Sequence, residues 1–212
     1  MMRGKFIAFE GGEGTGKSTQ ARLLSDHIEK NGKQCVLTRE PGGTVGAEAI
    51  RALLLDPPGS GWGARAEALL FAAARSDHVE KLINPALTEG KWVICDRYLD
   101  SSRAYQGGAG SVGDEAVLTL HEIGSKGLRP DLTLLVTVPA DLINQRLTAR
   151  DAGQSDAIGG RNAAYHQAVA DTFIKLAKRE PENFVLIDGV GSVDQVSMRI
   201  LQAVTDRFGA EL

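Results

Sequence analysis

The run Gly11-Gly12-Glu13-Gly14-Thr15-Gly16-Lys17-Ser18 meets the spacing G-x-x-x-x-G-K-[ST], directly after the apolar segment Phe6-Ile7-Ala8-Phe9 and directly before residues at helical period. A strand, a glycine-rich turn and a helix start in that order confine the chain to an α/β layer structure, because the strand needs a sheet and the helix must cover it. Glycines at 11, 14 and 16 let backbone N–H groups face phosphate oxygens, and the helix adds its positive end. Lys17 is then placed to reach the β- and γ-phosphates of a nucleoside triphosphate, and Ser18 to ligate Mg²⁺. Gly11, Gly12, Glu13, Gly14, Thr15, Gly16, Lys17, Ser18 and Thr19 are the expected triphosphate-binding set. A turn without a ligand would need neither the lysine nor the hydroxyl.

The rest of the chain repeats the same rhythm. Nearly continuous apolar runs at Lys5–Glu10, Gln34–Thr38, Lys91–Asp96, Leu132–Thr137 and Phe184–Ile187 predict five parallel strands, since both faces of such a sheet are covered. Helical spacing predicts Lys17–Asn31, Ala47–Leu55, Ala64–Leu82, Asp114–Lys126, Ala140–Arg150, Ala163–Arg179 and Val193–Phe208. Glycine-rich or polar breaks at Gly42–Gly46, Asp56–Gly63, Gly107–Gly113 and Asp151–Gly160 predict loops. The expectation is a P-loop NTPase-like three-layer fold, one domain over 1–212 with helices on both faces of a five-stranded parallel sheet and a short lid at about 146–161.

Charge narrows the partners. With 24 Lys+Arg against 27 Asp+Glu the net charge is −3, which argues against a broad basic surface for duplex nucleic acid, so an anionic ligand must be held by local cations. No apolar stretch reaches the ~18–20 residues of a membrane span, and the first residues run into a strand without a signal-peptide pattern. Cys35 and Cys95 each lie in an apolar run, as small buried residues in a reducing compartment. A cytoplasmic protein is expected. His27, His78, His121 and His166 show no metal-ligand spacing and are read as structural or surface residues.

A triphosphate-binding loop does not fix the reaction, because switches, motors and kinases share it. The next chemistry lies after the third apolar run, in Asp96-Arg97-Tyr98-Leu99-Asp100-Ser101-Ser102-Arg103-Ala104-Tyr105-Gln106. Ligands bind at the carboxyl edge of such sheets, where Asp96 can order the hydration shell of Mg²⁺ and Arg97 can grip a phosphate with two donors. Phe71 and Arg75 are four apart on a predicted helix, so a ring and a guanidinium share one face.

These segments, with Thr38-Arg39-Glu40-Pro41-Gly42-Gly43-Thr44 and Leu70-Phe71-Ala72-Ala73-Ala74-Arg75 in order along the chain, resemble the thymidylate kinase family. The resemblance implies ATP-dependent, Mg²⁺-dependent phosphorylation of thymidine monophosphate to the diphosphate, supplying precursors for DNA, by a homodimer. It implies that Phe71 stacks on the base, that Arg75 reaches its O4, and that Ser101, Ser102 and Gln106 line the acceptor pocket. Tyr105 is similar to the tyrosine that packs where a ribose 2′-hydroxyl would sit, Glu13 to the carboxylate that takes the sugar 3′-hydroxyl, and Arg39 lies in the loop placed near the acceptor phosphate. Arg51 is a weaker phosphate candidate and otherwise a surface charge.

The chain also departs from the family. Glu13 is followed by Gly14-Thr15 rather than arginine, so the loop lacks its own guanidinium and resembles bacterial-type members in which a lid supplies it. Lid candidates are Arg146, Arg150 and Arg161. Arg146 is assigned to the ATP side, with Arg150 and Arg161 joining Lys17 and Arg97 as catalytic cations. Asp156 is followed by Ala157 where the family commonly carries Asp-Arg. Two readings remain open at this level: another P-loop phosphotransferase acting on a different monophosphate or a deoxynucleoside, and a nucleotide-dependent switch.

Overall fold

The computed structural model describes residues 3–151 and 157–209, without the side chains of residue 144 and residues 147–151. Strands β1 (Phe6–Glu10), β2 (Cys35–Arg39), β3 (Trp92–Asp96), β4 (Leu132–Thr137) and β5 (Phe184–Asp188) form one parallel sheet in the order β2-β3-β1-β4-β5. Successive residues of β1 alternate between the two faces, as strand geometry requires. Ile7 and Phe9 pack with Ala21, Leu24 and Ile28 of α1 (Lys17–Lys30) and with Val196, Ile200 and Val204 of α9 (Val193–Phe208). Phe6 and Ala8 face the other layer, against Val79, Ile83, Leu87 and Val117.

That second layer is built from α2 (Val45–Leu55), α3 (Ala64–His78), α4 (Asn84–Thr88), α5 (Leu99–Ser102) and α6 (Asp114–Ser125). Beyond β4 lie α7 (Ala140–Asp151) and α8 (Ala163–Arg179). The α/β order and the five parallel strands agree with the sequence expectation. Cys95 is buried and Cys35 half-buried, both as free thiols.

Two boundaries differ from it. The helix expected over Ala64–Leu82 runs on to Thr88 through a π-helical turn at Val79–Ile83. Pro85 has no N–H to give, and the widened turn accommodates it. The loop expected at Gly107–Gly113 is in its first part a π-helical segment, Arg103–Ala109, continuing α5. Gly108 is there for close approach, since a Cβ on it would lie 2.5 Å from Thr172 Oγ1 of α8. Packing against α8 thus outweighs the weak helix propensity of glycine.

Candidate active site

The register aligns Phe9, Asp96 and Arg39 across β1, β3 and β2, so three strand ends open on one edge of the sheet. The glycine-rich loop begins there. Gly11 has φ of 137°, and a Cβ on it would sit 2.4 Å from the Val136 carbonyl oxygen, so the loop can leave β1 in this direction only with glycine. Lys17 folds back over the loop, donating to Gly12 O at 2.5 Å and Thr15 Oγ1 at 3.3 Å. Burial, with the Arg97 charge adding to it, brings the Lys17 ammonium down to about 8. A polyphosphate in the loop would replace these neutral oxygens with anionic ones.

Ser18, in the first turn of α1, donates its hydroxyl to Asp96 Oδ2 at the end of β3. Asp96 Oδ1 is buried and has no hydrogen-bond partner among the described residues. The Ser18 hydroxyl and the two oxygens of the Asp96 carboxylate form an all-oxygen donor set of the kind a hydrated Mg²⁺ prefers, so the residues fit that ion.

Arg97 follows with φ of 67°, a left-handed conformation for a residue with a side chain. Its guanidinium donates to Gly11 O and Ser101 Oγ, both at 3.1 Å, to Glu13 Oε1 at 2.5 Å and to Tyr105 Oη at 3.3 Å, and lies 5.1 Å from the Tyr105 ring centroid. Behind it stands Glu10, fully buried at the end of β1. This carboxylate accepts from Tyr98 N and Ser101 N at 2.9 Å and from Ser101 Oγ at 2.6 Å, and so pins both ends of the turn that carries Arg97. Burial first, then the Asp100 charge, raises Glu10 to about 7.

The site opens into a cavity of about 310 Å³ that runs from Ser18 and Asp96 past Arg97 to Phe71, Arg75 and Gln106. Half-buried Phe71 forms an apolar wall with Leu55 and Ile158. Arg75 is buried, with Nε on Glu40 Oε2 at 2.7 Å and Nη2 on Tyr98 O at 3.1 Å and Ser102 Oγ at 2.9 Å. Glu40 also faces His78 Nδ1 at 3.1 Å, so His78 is structural, as expected. Gln106 donates from Nε2 to Glu67 Oε1 at 2.8 Å.

The predicted residues fall into three groups. Glu13, Arg97, Ser101, Ser102, Tyr105, Phe71, Arg75 and Gln106 come together on one cavity, joined by Arg39, whose Nη2 donates to both oxygens of Glu48 at 3.0 and 3.1 Å. Arg51 also lines the cavity, donating to Pro41 O at 2.7 Å, so its reading as a surface charge does not describe its position. Arg146 crosses the phosphate loop, 3.5 Å from Gly14 O and 3.4 Å from Thr15 O, and reaches Gly189 O at 3.1 Å, while Thr19 is exposed on the first turn of α1.

The other two lid arginines are the exception. The side chain of Arg150 lies outside the described residues. Arg161, expected at the phosphates, pairs instead with Glu67 and with Tyr165 Oη, so its donors are taken at the base end of the cavity. Sequence reasoning missed Glu10, Glu40 and Glu67. Only Glu10 carried a signal, a carboxylate closing a strand whose other residues are all apolar. Among the described residues no group of three or more His, Cys, Asp or Glu side chains is arranged for a metal, and no helix is long and apolar enough to cross a membrane.

Residues 9–200 match the family model described as Thymidylate kinase. A thymidylate kinase of Rhizorhabdus wittichii is 51% identical over 205 residues, covering 97% of this chain and 99% of that protein. One of Bradyrhizobium sp. (strain ORS 278) is 48% identical over 207 residues, covering 97% and 92%. The crystal structure of thymidylate kinase from Ehrlichia chaffeensis superposes with a TM-score of 0.75 at 30% identity, over 95% of this chain and 99% of that one.

Proposed function

The chain belongs to the thymidylate kinase family, and from that premise we propose how its residues carry out the phosphorylation of thymidine monophosphate by ATP. An oxygen of the acceptor 5′-phosphate forms a bond to the γ-phosphorus, the bond from that phosphorus to the β-γ bridging oxygen breaks, and ADP leaves. The acceptor oxygen is already anionic near neutral pH, its second pKa being about 6, so no strong base is needed and catalysis is positioning plus charge neutralisation.

The observation that supports this division of labour is the continuity of the cavity from the Ser18–Asp96 pair to Phe71 and Arg75. Lys17 and the loop N–H groups hold the ATP β- and γ-phosphates, with Arg146 on the ATP side of the loop. Arg97 lies between loop and cavity, placed to bridge the donor and acceptor phosphates. Arg39 approaches the acceptor phosphate from β2, Glu13 the sugar hydroxyl, and Phe71 and Arg75 the base. Tyr105, packed under Arg97, closes the sugar side. Mg²⁺, bound by ATP, would be held through Ser18 and Asp96 and would supply charge neutralisation across the phosphates. Arg150, at the end of α7, is the remaining lid cation and is proposed to close over the transferring group.

The working unit is proposed to be one kinase domain with its lid at about 146–161, acting in the cytoplasm as a homodimer. Exposed Val45 and Leu53 on α2, Leu69 on α3 and Ile123 on α6 lie on helices that pack side by side, which supports pairing through that face.

ADP release across a panel of nucleoside monophosphates, with and without Mg²⁺, tests the reading. Turnover should be greatest with thymidine monophosphate and fall away when Mg²⁺ is chelated. Preference for adenosine or uridine monophosphate would overturn the acceptor assignment.

A further inference from the structure

Glu67, Phe71 and Arg75 recur every four residues along α3 and therefore share one helix face, but Glu67 stands behind the cavity wall rather than in it. Its side chain is buried, with relative exposure of 9%. One oxygen accepts from Gln106 Nε2 at 2.8 Å, and the other accepts from Arg161. Arg161 in turn lies 4.6 Å from the Tyr165 ring centroid and donates to Tyr165 Oη at 2.5 Å, and that hydroxyl donates to Tyr105 O at 2.9 Å. Glu67 is thereby fixed from two sides.

A carboxylate in an ion pair accepts hydrogen bonds and does not donate them, so Gln106 must turn its NH₂ toward Glu67. Exchanging the ends of that amide would set oxygen against oxygen in a buried place and lose the bond. The carbonyl oxygen of Gln106 is then the end left for the cavity that Gln106 lines, and among the described residues nothing donates to it. Nearby, Arg75 holds Ser102 and Tyr98 with Nη2 and Glu40 with Nε, leaving Nη1 without a partner among the described residues. The cavity wall thus presents a donor and an acceptor. Thymine and uracil match it with a carbonyl at position 4 beside a ring N–H. Cytosine carries the reverse pattern, an amino donor beside a bare ring nitrogen.

We propose that Glu67 is a positioning residue that sets base selectivity, fixing the amide of Gln106 so that the site takes a pyrimidine bearing N3–H and rejects cytosine, with Arg161 holding Glu67 in place. The inference rests on reading the cavity as the acceptor site. A parent enzyme that does not favour thymidine monophosphate would defeat that reading, whereas a parent that does, with variants that leave selectivity alone, would defeat only the role of Glu67.

The test measures kcat and KM for thymidine and deoxycytidine monophosphates in the parent, Glu67→Gln, Gln106→Ala and the double variant. Glu67→Gln, whose amide can both donate and accept, should raise KM for thymidine monophosphate about tenfold and leave kcat within about twofold, the loss expected from one mispaired hydrogen bond. The preference over deoxycytidine monophosphate should narrow by a similar factor. In the Gln106→Ala background Glu67→Gln should change the preference no further. An unchanged preference in folded Glu67→Gln, or the same change with and without Gln106, overturns the proposal. Should Glu67→Gln not fold, Glu67→Asp takes its place, its shorter carboxylate drawing back from the Gln106 amide, and an unchanged preference in it is equally fatal.

Discussion

The Ser18 hydroxyl donates to one oxygen of Asp96, and the other oxygen of that carboxylate is buried without a hydrogen-bond partner among the described residues. Helix α1 and strand β3 therefore deliver one oxygen-only cluster from two elements 78 residues apart in sequence. Asp96→Asn keeps the shape and replaces one acceptor by an NH₂ group. We expect the Mg²⁺ concentration for half-maximal ADP release to rise about 10–100-fold, with the melting temperature nearly unchanged. A superimposable Mg²⁺ titration would remove Asp96 from the metal's surroundings.

Lys17 predicts a pH signature. Its ammonium is brought to about 8 by burial and then by Arg97, and phosphate binding needs the protonated form. Raising the pH through about 8 deprotonates the free enzyme, so kcat/KM for ATP should be level below that point and fall about tenfold per unit above it. Lys17→Ala should lose about 10²–10³ in kcat and show no inflection there. A parent profile flat to high pH would count against this role.

Arg75 has two duties, and its removal should show both. Arg75→Ala takes away a donor to the base, raising KM for thymidine monophosphate about 10–100-fold. It also leaves Glu40 buried beside His78 without its cation, a loss of about 3–5 kcal/mol seen in the unfolding midpoint. Arg75→Lys keeps the charge without the fork, so it should recover more stability than KM.

Acid should find the cluster around Arg103. This side chain is fully buried and pairs with Asp100 at 2.8 Å, Asp114 at 2.7 Å and Glu180 at 2.5 Å, tying the π-helical segment to α6 and to the end of α8. Burial alone would raise Glu180, but hydrogen bonds and charge from Arg103, with Arg129, bring it down to about 2. A carboxyl lowered in the folded state contributes stability above its ordinary pKa of 4.5, and that contribution is lost as pH falls from there toward about 2. The melting temperature should drop across that window. Arg103→Met should melt lower than the parent at pH 7 and show a shallower decline on acidification, whereas parallel curves would mean the cluster is not the acid-sensitive element.

The phosphate loop was legible because its constraint is local: glycine conformations, a lysine and a hydroxyl follow one another in the chain. Sheet composition was legible for a similar reason, each strand being a self-contained apolar run. Glu40 and Glu67 were not, because a carboxylate acquires its role from partners brought by other elements, Arg75 from α3 for the first and Gln106 from the π-helical segment for the second. Arg161 shows the converse. Its place directly after the Asp151–Gly160 break marks it in the sequence as a catalytic lid cation, whereas its partners Glu67 and Tyr165 are brought to it by α3 and α8.

Strand order has a final consequence for how this molecule can fluctuate without losing its chemistry. β1 lies at the centre of the sheet and β3 beside it, and between them they anchor the phosphate loop, Asp96 and Arg97, while β5 is an outer strand bearing none of these. Amide protons of β5 and the end of α9 can therefore exchange with solvent through partial opening that spares the catalytic edge. Those of β1 exchange only when the whole sheet comes apart, so the reactive groups hang from the part of the molecule that is last to let go.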